Sequence, residues 1–281
     1  MLKIYAFADE AGEALETQIA AMQRNGLLGL EARNIDGKNA CDLPTEKLRE
    51  VRKRLDDAGL AVFSMGSPIG KIDIEKDDFA AHLERYKRTI EAAHILGTDK
   101  IRLFSFFMPK GKDPALYKDE VIDRLGQFVE IAQSEGVLAC HENEKGIFGA
   151  GAPECAELHR VLPALRAVFD PANFIQCGQD VLEAWELLEP YVAYLHIKDA
   201  TAAGEVVPAG KGVGCLREIL SRYAANGGGV VTLEPHLTVF DGFAALERPE
   251  ERHDAGDYSY PTMRAAFDAA VAALRGLLDE E

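Results

Sequence analysis

The sequence predicts a single-domain α/β fold, a (β/α)8 TIM barrel over residues 1–281. Three observations lead there. Short β-rich runs alternate with longer amphipathic runs along the whole chain, the pattern of parallel strands joined by crossover helices. Eight such units follow one another, which favours closure over the alternative, an open doubly wound sheet. The length of 281 residues suits one barrel domain, and no linker-like stretch divides it.

The elements follow in order. Residues 2–7 (LKIYAF) read as the first strand. A helix over 13–25 places Leu15, Ile19 and Met22 on one face, and Gly26 stops it. Residues 27–33 (LLGLEAR) are the second strand. The helix over 44–58 opens on Pro44 and Thr45 and has Gly59 just past its end. The third strand is 60–65 (LAVFSM), followed by a long helix over 77–96 that Gly97 ends. The fourth strand is 100–107 (KIRLFSFF), with a helix over 114–135 before Gly136. The fifth strand, 137–142 (VLACHE), precedes a helix over 153–162. The sixth, 167–170 (AVFD), precedes a helix over 180–188. The seventh, 192–198 (VAYLHIK), precedes a helix over 213–226. The eighth, 229–235 (GVVTLEP), is followed by a closing helix over 261–278. The longest irregular stretch, 237–260, reads as a lid, an interface arm or a plain solvated excursion.

Bulk properties narrow the function. The formal charge is −16, which disfavours nucleic-acid and anionic membrane partners. No run is apolar and long enough to span a bilayer. The segment MLKIYAFADE lacks the apolar core and cleavage site of a signal peptide, so a cytoplasmic location is expected. The five cysteines, Cys41, Cys140, Cys155, Cys177 and Cys215, are scattered without a CxxC pair and read as reduced thiols.

In such a barrel, function gathers at the C-terminal strand ends. The fifth strand ends at Glu142, the sixth at Asp170, the seventh near His196 and the eighth at Glu234. The intervals are 28, 26 and 38 residues, each about one βα unit. Side chains alternate across a strand. Cys140 and Glu142 therefore share a face, as do Val168 and Asp170, Tyr194 and His196, and Thr232 and Glu234. Three carboxylates brought that close repel, and without a cation one or more would stay protonated. A divalent ion resolves the conflict. Three carboxylates and an imidazole suit Mn2+ or Mg2+ first, with Co2+ or Zn2+ as further choices. The bland alternative for each residue alone is a loop acid, a helix cap or a packed histidine.

Further residues converge on the same end. Glu31 and Arg33 close the second strand, Arg102 lies in the fourth, and Lys71 follows the third. Glu31, Arg102 and Lys71 are candidate substrate contacts, with a structural salt bridge from Glu31 to Arg33 or Arg102 as the alternative. Lys198 shares parity with His196, and His236 with Glu234; both are candidate substrate groups. The run AGKGVG (209–214) precedes a helix and reads as turn glycines, or as a phosphate cradle aided by Lys211. His141 points behind the barrel wall, Asn143 orients the turn, and EKGIFG (144–149) would bring Lys145 or Phe148 over the mouth. His82, His94 and His159 read as surface or packing residues on helices.

At the four strand ends the chain resembles the xylose isomerase-like barrels, specifically the sugar phosphate isomerase/epimerase group that includes ketose 3-epimerases, inosose dehydratase and endonuclease IV. The matching motifs are HENE, FDPANF, LHIKD and LEPH, and the resemblance covers nearly the whole chain. It implies that Glu142, rather than Glu144, is a metal ligand with Asp170, His196 and Glu234. It also implies that Glu142 and Glu234 exchange protons with the substrate. Many members carry a substrate-contacting histidine three residues after the strand-six Asp, where this chain has Asn173. The implied activity is a metal-dependent isomerase or epimerase of a small keto-sugar, polyol derivative or sugar phosphate. An inosose dehydratase-like lyase is the near alternative. An abasic-site endonuclease is disfavoured by the charge and by the absence of histidines in FSMGSP and LFSFF. A non-catalytic sugar-binding barrel is the alternative from a different class. A homodimer is the expected assembly.

Overall fold

The structure is a computed structural model and describes residues 2–238, 258 and 260–279. Residues 239–257 and 259 of the extended 237–260 loop lie outside the described residues. The barrel strands are β1 (Lys3–Ala6), β2 (Gly29–Ala32), β3 (Ala61–Gly66), β4 (Lys100–Leu103), β5 (Leu138–Glu142), β6 (Arg166–Phe169), β7 (Val192–Ile197) and β8 (Val230–Leu233). The helices are α1 (Leu15–Arg24), α2 (Thr45–Asp57), α3 (Phe79–Leu96), α4 (Lys118–Ser134), α5 (Ala152–Val161), α6 (Pro171–Gln176), α7 (Val181–Leu188), α8 (Leu216–Ala225) and α9 (Met263–Asp279). Each strand pairs in parallel with its sequence neighbours, and β1 closes on β8 through Lys3 opposite Val230 to Ala6 opposite Leu233. Closure leaves no open sheet edge, so every barrel strand is paired on both sides.

The main core lies between the barrel wall and the helices. In α9, Ala266, Phe267, Ala270, Val271 and Leu274 are buried at steps of one, three, one and three, the apolar stripe of a helix laid on a sheet. A second, smaller cluster fills the barrel interior: Cys140, Val168 and Tyr194, with Phe63, Leu138 and Val230 against it. Its three fully buried members sit two residues before Glu142, Asp170 and His196. The alternation of the strand therefore puts those polar groups one layer higher, at the mouth. Among the described residues no helix is long and apolar enough to cross a membrane.

Several local readings are corrected. The fourth strand ends at Leu103, not 107. Beyond it the N–H groups of Phe104, Phe106 and Phe107 donate to Ile69, Gly70 and Ile72 carbonyls in the loop after β3. The turn this requires puts Phe106 at φ 66°. A short helix, α6, follows β6 ahead of the helix read over 180–188. Pro171 occupies its first position and Asp170 caps it, accepting from Asn173 N–H at 3.0 Å. The helix expected from 213 starts at Leu216, because the glycine run before it is engaged elsewhere.

Candidate metal centre

The four strand-end residues meet. Glu142, Asp170, His196 and Glu234 each bring one ligand atom within 4.8 Å of the others, and all four are buried. Ligand atoms about 2.0–2.2 Å from a shared ion stand at most about 4.4 Å apart, so the set fits one cation after a small adjustment. His196 is the hub. Its Nδ1 lies 2.9 Å from Glu142 Oε1 and 3.2 Å from Glu234 Oε2, while Nε2 lies 3.2 Å from Glu31 Oε2. Glu31 also accepts from the Tyr194 hydroxyl at 2.9 Å. Burial alone would neutralise the ring, but Glu142 and Glu31 outweigh it and hold the imidazole well above its usual pKa. Burial likewise raises the Glu31 carboxyl, and the His196 charge overcomes this and keeps it low.

Among the described residues Glu31 forms no salt bridge with Arg33 or Arg102, the alternative offered for it; it faces His196 instead. Arg33 spreads its guanidinium over Asp9 (2.9 Å), Glu10 (2.9 Å) and Glu234 (3.2 Å). Arg102 donates to Glu142 Oε2 at 3.0 Å and to the Ser67 carbonyl. Lys198 lies 2.9 Å from Asp170 Oδ2 and 3.5 Å from Glu234 Oε2. Lys71, over the Phe104 ring, pairs with Glu144 Oε2 at 3.2 Å. His236 sits at φ 47°, its N–H on Glu10 Oε2 at 2.7 Å and its Nε2 3.1 Å from Glu234 Oε1. Asn173 is turned inward: its amide donates to the Asn143 carbonyl at 2.9 Å and more loosely, at 3.4 Å, to Glu142 Oε1. Asn143 does more than orient its own turn. It exchanges two 2.9 Å hydrogen bonds with the Asp170 backbone and so ties the end of β5 to the end of β6.

The charges do not balance. Among the described residues, Asp9, Glu10, Glu31, Glu142, Asp170 and Glu234 are buried carboxyl groups at this mouth, against Arg33, Arg102, Lys198 and the charged His196 ring as buried cations. These cations relieve part of the repulsion that seemed to require a metal, but not all of it. Burial pushes the Glu10 carboxyl up to about 8 despite Arg33. Burial, with Glu234 and Glu142 nearby, also lifts Asp170 well above the usual carboxylate range against the pull of Lys198. Asp170 Oδ2 is buried and makes no hydrogen bond. A surplus of buried carboxyl groups over cations, met only by raising the pKa of two of them, and an oxygen lacking a hydrogen bond are what a metal cation would relieve. Three carboxylates and one imidazole form a hard, mostly oxygen donor set. A second group, Glu10, Glu234 and His236, also lies within 4.8 Å, but Arg33 already contacts both of its carboxylates.

Asp9 and Glu10 are the residues the strand-end reading passed over. They follow β1 in FADE, and the rule applied to strands five to eight would have found them on strand one. The glycine run keeps the turn of its first reading, with Gly210 at φ 80° and Lys211 N–H on the Pro208 carbonyl at 2.9 Å, but it does not hold an open phosphate cradle. Asp199 accepts from the N–H groups of Ala200 (2.9 Å), Gly210 (2.9 Å), Gly212 (3.0 Å) and Gly214 (2.9 Å), so the chain's own carboxylate fills the cradle that a phosphate would take. The segment EKGIFG docks against the loop after β4. Phe148 is buried in the core, and Gly149 leaves room for the His141 ring, which a Cβ would approach to 2.4 Å. His141 does lie behind the wall, on Ser105 Oγ at 2.9 Å and edge-on to the buried His159.

A family model described as Xylose isomerase-like TIM barrel matches residues 19–258. No curated protein sequence matches the chain. Among solved structures, an L-ribulose 3-epimerase is similar at 18% identity and TM-score 0.75, covering 100% of this chain and 95% of its own. A D-psicose 3-epimerase is similar at 17% identity and TM-score 0.73, covering 98% of each chain. A protein described as a probable 3-DHS dehydratase, from Bacillus anthracis, is similar at 17% identity and TM-score 0.74, covering 98% of this chain and 99% of its own. At these identities the likeness is one of fold.

Proposed function

The chain belongs to the xylose isomerase-like TIM barrel family, and from that premise we propose that it is a divalent-metal-dependent isomerase or epimerase of a small keto-sugar or polyol derivative. The observation that carries this reading is the meeting of Glu142, Asp170, His196 and Glu234 within 4.8 Å, with Glu142 and Glu234 both against His196 Nδ1. These four residues would hold the ion, Mn2+ or Mg2+ by the chemistry of the donor set. Bound there, a divalent ion acidifies the C–H next to a carbonyl and stabilises the charge that develops on oxygen.

The chain's own groups do the rest. Glu142 and Glu234 come from β5 and the end of β8 and approach His196 from separate strands. One removes the proton beside the carbonyl and the other returns a proton. Return to the opposite face of the same carbon inverts it; return to the neighbouring carbon exchanges ketose for aldose. Arg102 on Glu142, and Arg33 with His236 beside Glu234, orient the two carboxylates. Lys71 and Glu144, paired with each other and less buried than the ligands, would meet substrate hydroxyls.

A lyase is the second reading, favoured by the buried ammonium of Lys198. A carboxylate would take the proton beside the carbonyl, the C–O bond at the next carbon would break, and Lys198 would give its proton to the departing hydroxide, releasing water. The fold neighbour described as a dehydratase is consistent with it.

Metal content of the purified protein and of Glu142→Gln tests the premise. The wild type should hold divalent metal and the variant should lose most of it; a wild type that binds none at micromolar concentration ends the enzyme reading. Incubation in D2O with a panel of ketoses and inososes then separates the reactions. Deuterium in recovered or isomeric sugar supports proton exchange, loss of water supports the lyase, and no change with any compound supports a binding barrel.

A further inference from the structure

We propose that Lys198 is a resident counter-cation of the metal cradle: it holds the ligand carboxylates together without the ion and competes with the ion for them. The inference rests on the metal reading above and adds a role for a residue of this chain. The ammonium lies 2.9 Å from Asp170 Oδ2 and 3.5 Å from Glu234 Oε2, two of the four ligand residues, and Lys198 is 5% exposed. Asp170 Oδ2 makes no hydrogen bond, so its contact with Lys198 is an ion pair without directed bonding, one that an incoming cation can replace.

The backbone around Lys198 explains why the ammonium stays there. Asp199, the next residue, is gripped by four N–H groups, those of Ala200, Gly210, Gly212 and Gly214. Asp199 and Ala200 also pair with Val207 and Val206 in a short hairpin. On the other side Ile197 belongs to β7, and its carbonyl accepts from Glu234 N–H at 3.1 Å. The Lys198 main chain is thus pinned from both neighbours. A cation entering the cradle meets a positive charge that cannot withdraw with its loop, and like charges this close oppose each other. In the absence of the ion, the same charge stops Asp170 and Glu234 from pushing apart.

The test is calorimetric titration of Mn2+ into the full chain stripped with EDTA, for the wild type, Lys198→Met and Lys198→Arg. Lys198→Met should bind Mn2+ at least about tenfold more tightly, a change of about 1.4 kcal/mol. Lys198→Arg keeps the charge and should stay within about threefold of the wild type. In EDTA, Lys198→Met should melt below the wild type, and saturating Mn2+ should close the gap. Equal or weaker Mn2+ binding by Lys198→Met overturns the inference while leaving the metal reading intact. If neither the wild type nor Lys198→Met binds Mn2+, the metal reading itself falls and takes the inference with it.

Discussion

Arg33, Glu31 and Lys198 at the mouth are each placed by a partner of opposite charge that comes from a distant part of the sequence. Glu31 shows the consequence. It is fully buried, and its two oxygens are committed to His196 Nε2 and the Tyr194 hydroxyl. That contact fixes the ring so that Nδ1 faces Glu142 and Glu234. A carboxylate behind a ligating histidine raises its basicity and holds its orientation. Glu31→Gln should therefore weaken Mn2+ binding by about 10- to 100-fold, read by the same titration, with the fold intact by circular dichroism. Unchanged affinity would mean that Glu31 only packs. None of this was legible from Glu31 itself, because its nearest charged neighbour in sequence is Arg33, whereas its partner His196 lies on β7, across the barrel.

At the scale of elements, strand ends were readable and loops were not. A strand has a period of two, so knowing that Val168 or Tyr194 is buried fixes the face of Asp170 or His196. A loop has no period. The run AGKGVG looked like turn or phosphate glycines, yet it closes around Asp199. At Gly212 an added Cβ would come within 2.2 Å of the Ala200 carbonyl oxygen and 2.4 Å of Asp199 Oδ1. Backbone cannot move aside as a flexible side chain can. Gly212→Ala should cost about 2 kcal/mol or more, measured by urea unfolding, whereas Gly136→Ala, where an added Cβ meets nothing within 4 Å, should lose only what its φ of 69° imposes. Similar losses at both sites would show that the Asp199 clasp contributes nothing to stability.

Across the whole molecule, buried neutral histidines set the response to acid. His82 accepts from Gly70 N–H at 2.8 Å and His159 lies against the Leu165 carbonyl at 3.1 Å. Burial lowers both to about 4. Their folded values lie below the unfolded value of about 6.5. The unfolded chain therefore takes up the protons first, and the stability present above pH 6.5 is lost as pH falls toward 4. At the mouth, His236, lowered by burial to about 3, and Glu10, raised to about 8, work in opposite senses over much of this range and partly cancel. The expected outcome is a melting temperature in EDTA that declines from pH 6.5 to 4. A His82→Gln, His159→Gln variant should show a shallower decline, and an equal slope would place the acid sensitivity elsewhere.

The sequence by itself determined the eight-unit alternation and closure into a barrel. It also determined the face on which Glu142, Asp170, His196 and Glu234 stand, because these depend on local periodicity and on a strand-end rule that holds for the fold as a whole. Only the tertiary structure decided which charges neutralise which. It joined Arg33 to Asp9, Glu10 and Glu234, Glu31 to His196, Lys198 to Asp170, and a glycine loop to Asp199. The physical reason is that a buried charge must be met wherever a counter-charge can reach it. In a closed barrel that reach runs across the axis, between residues that no spacing along the chain relates.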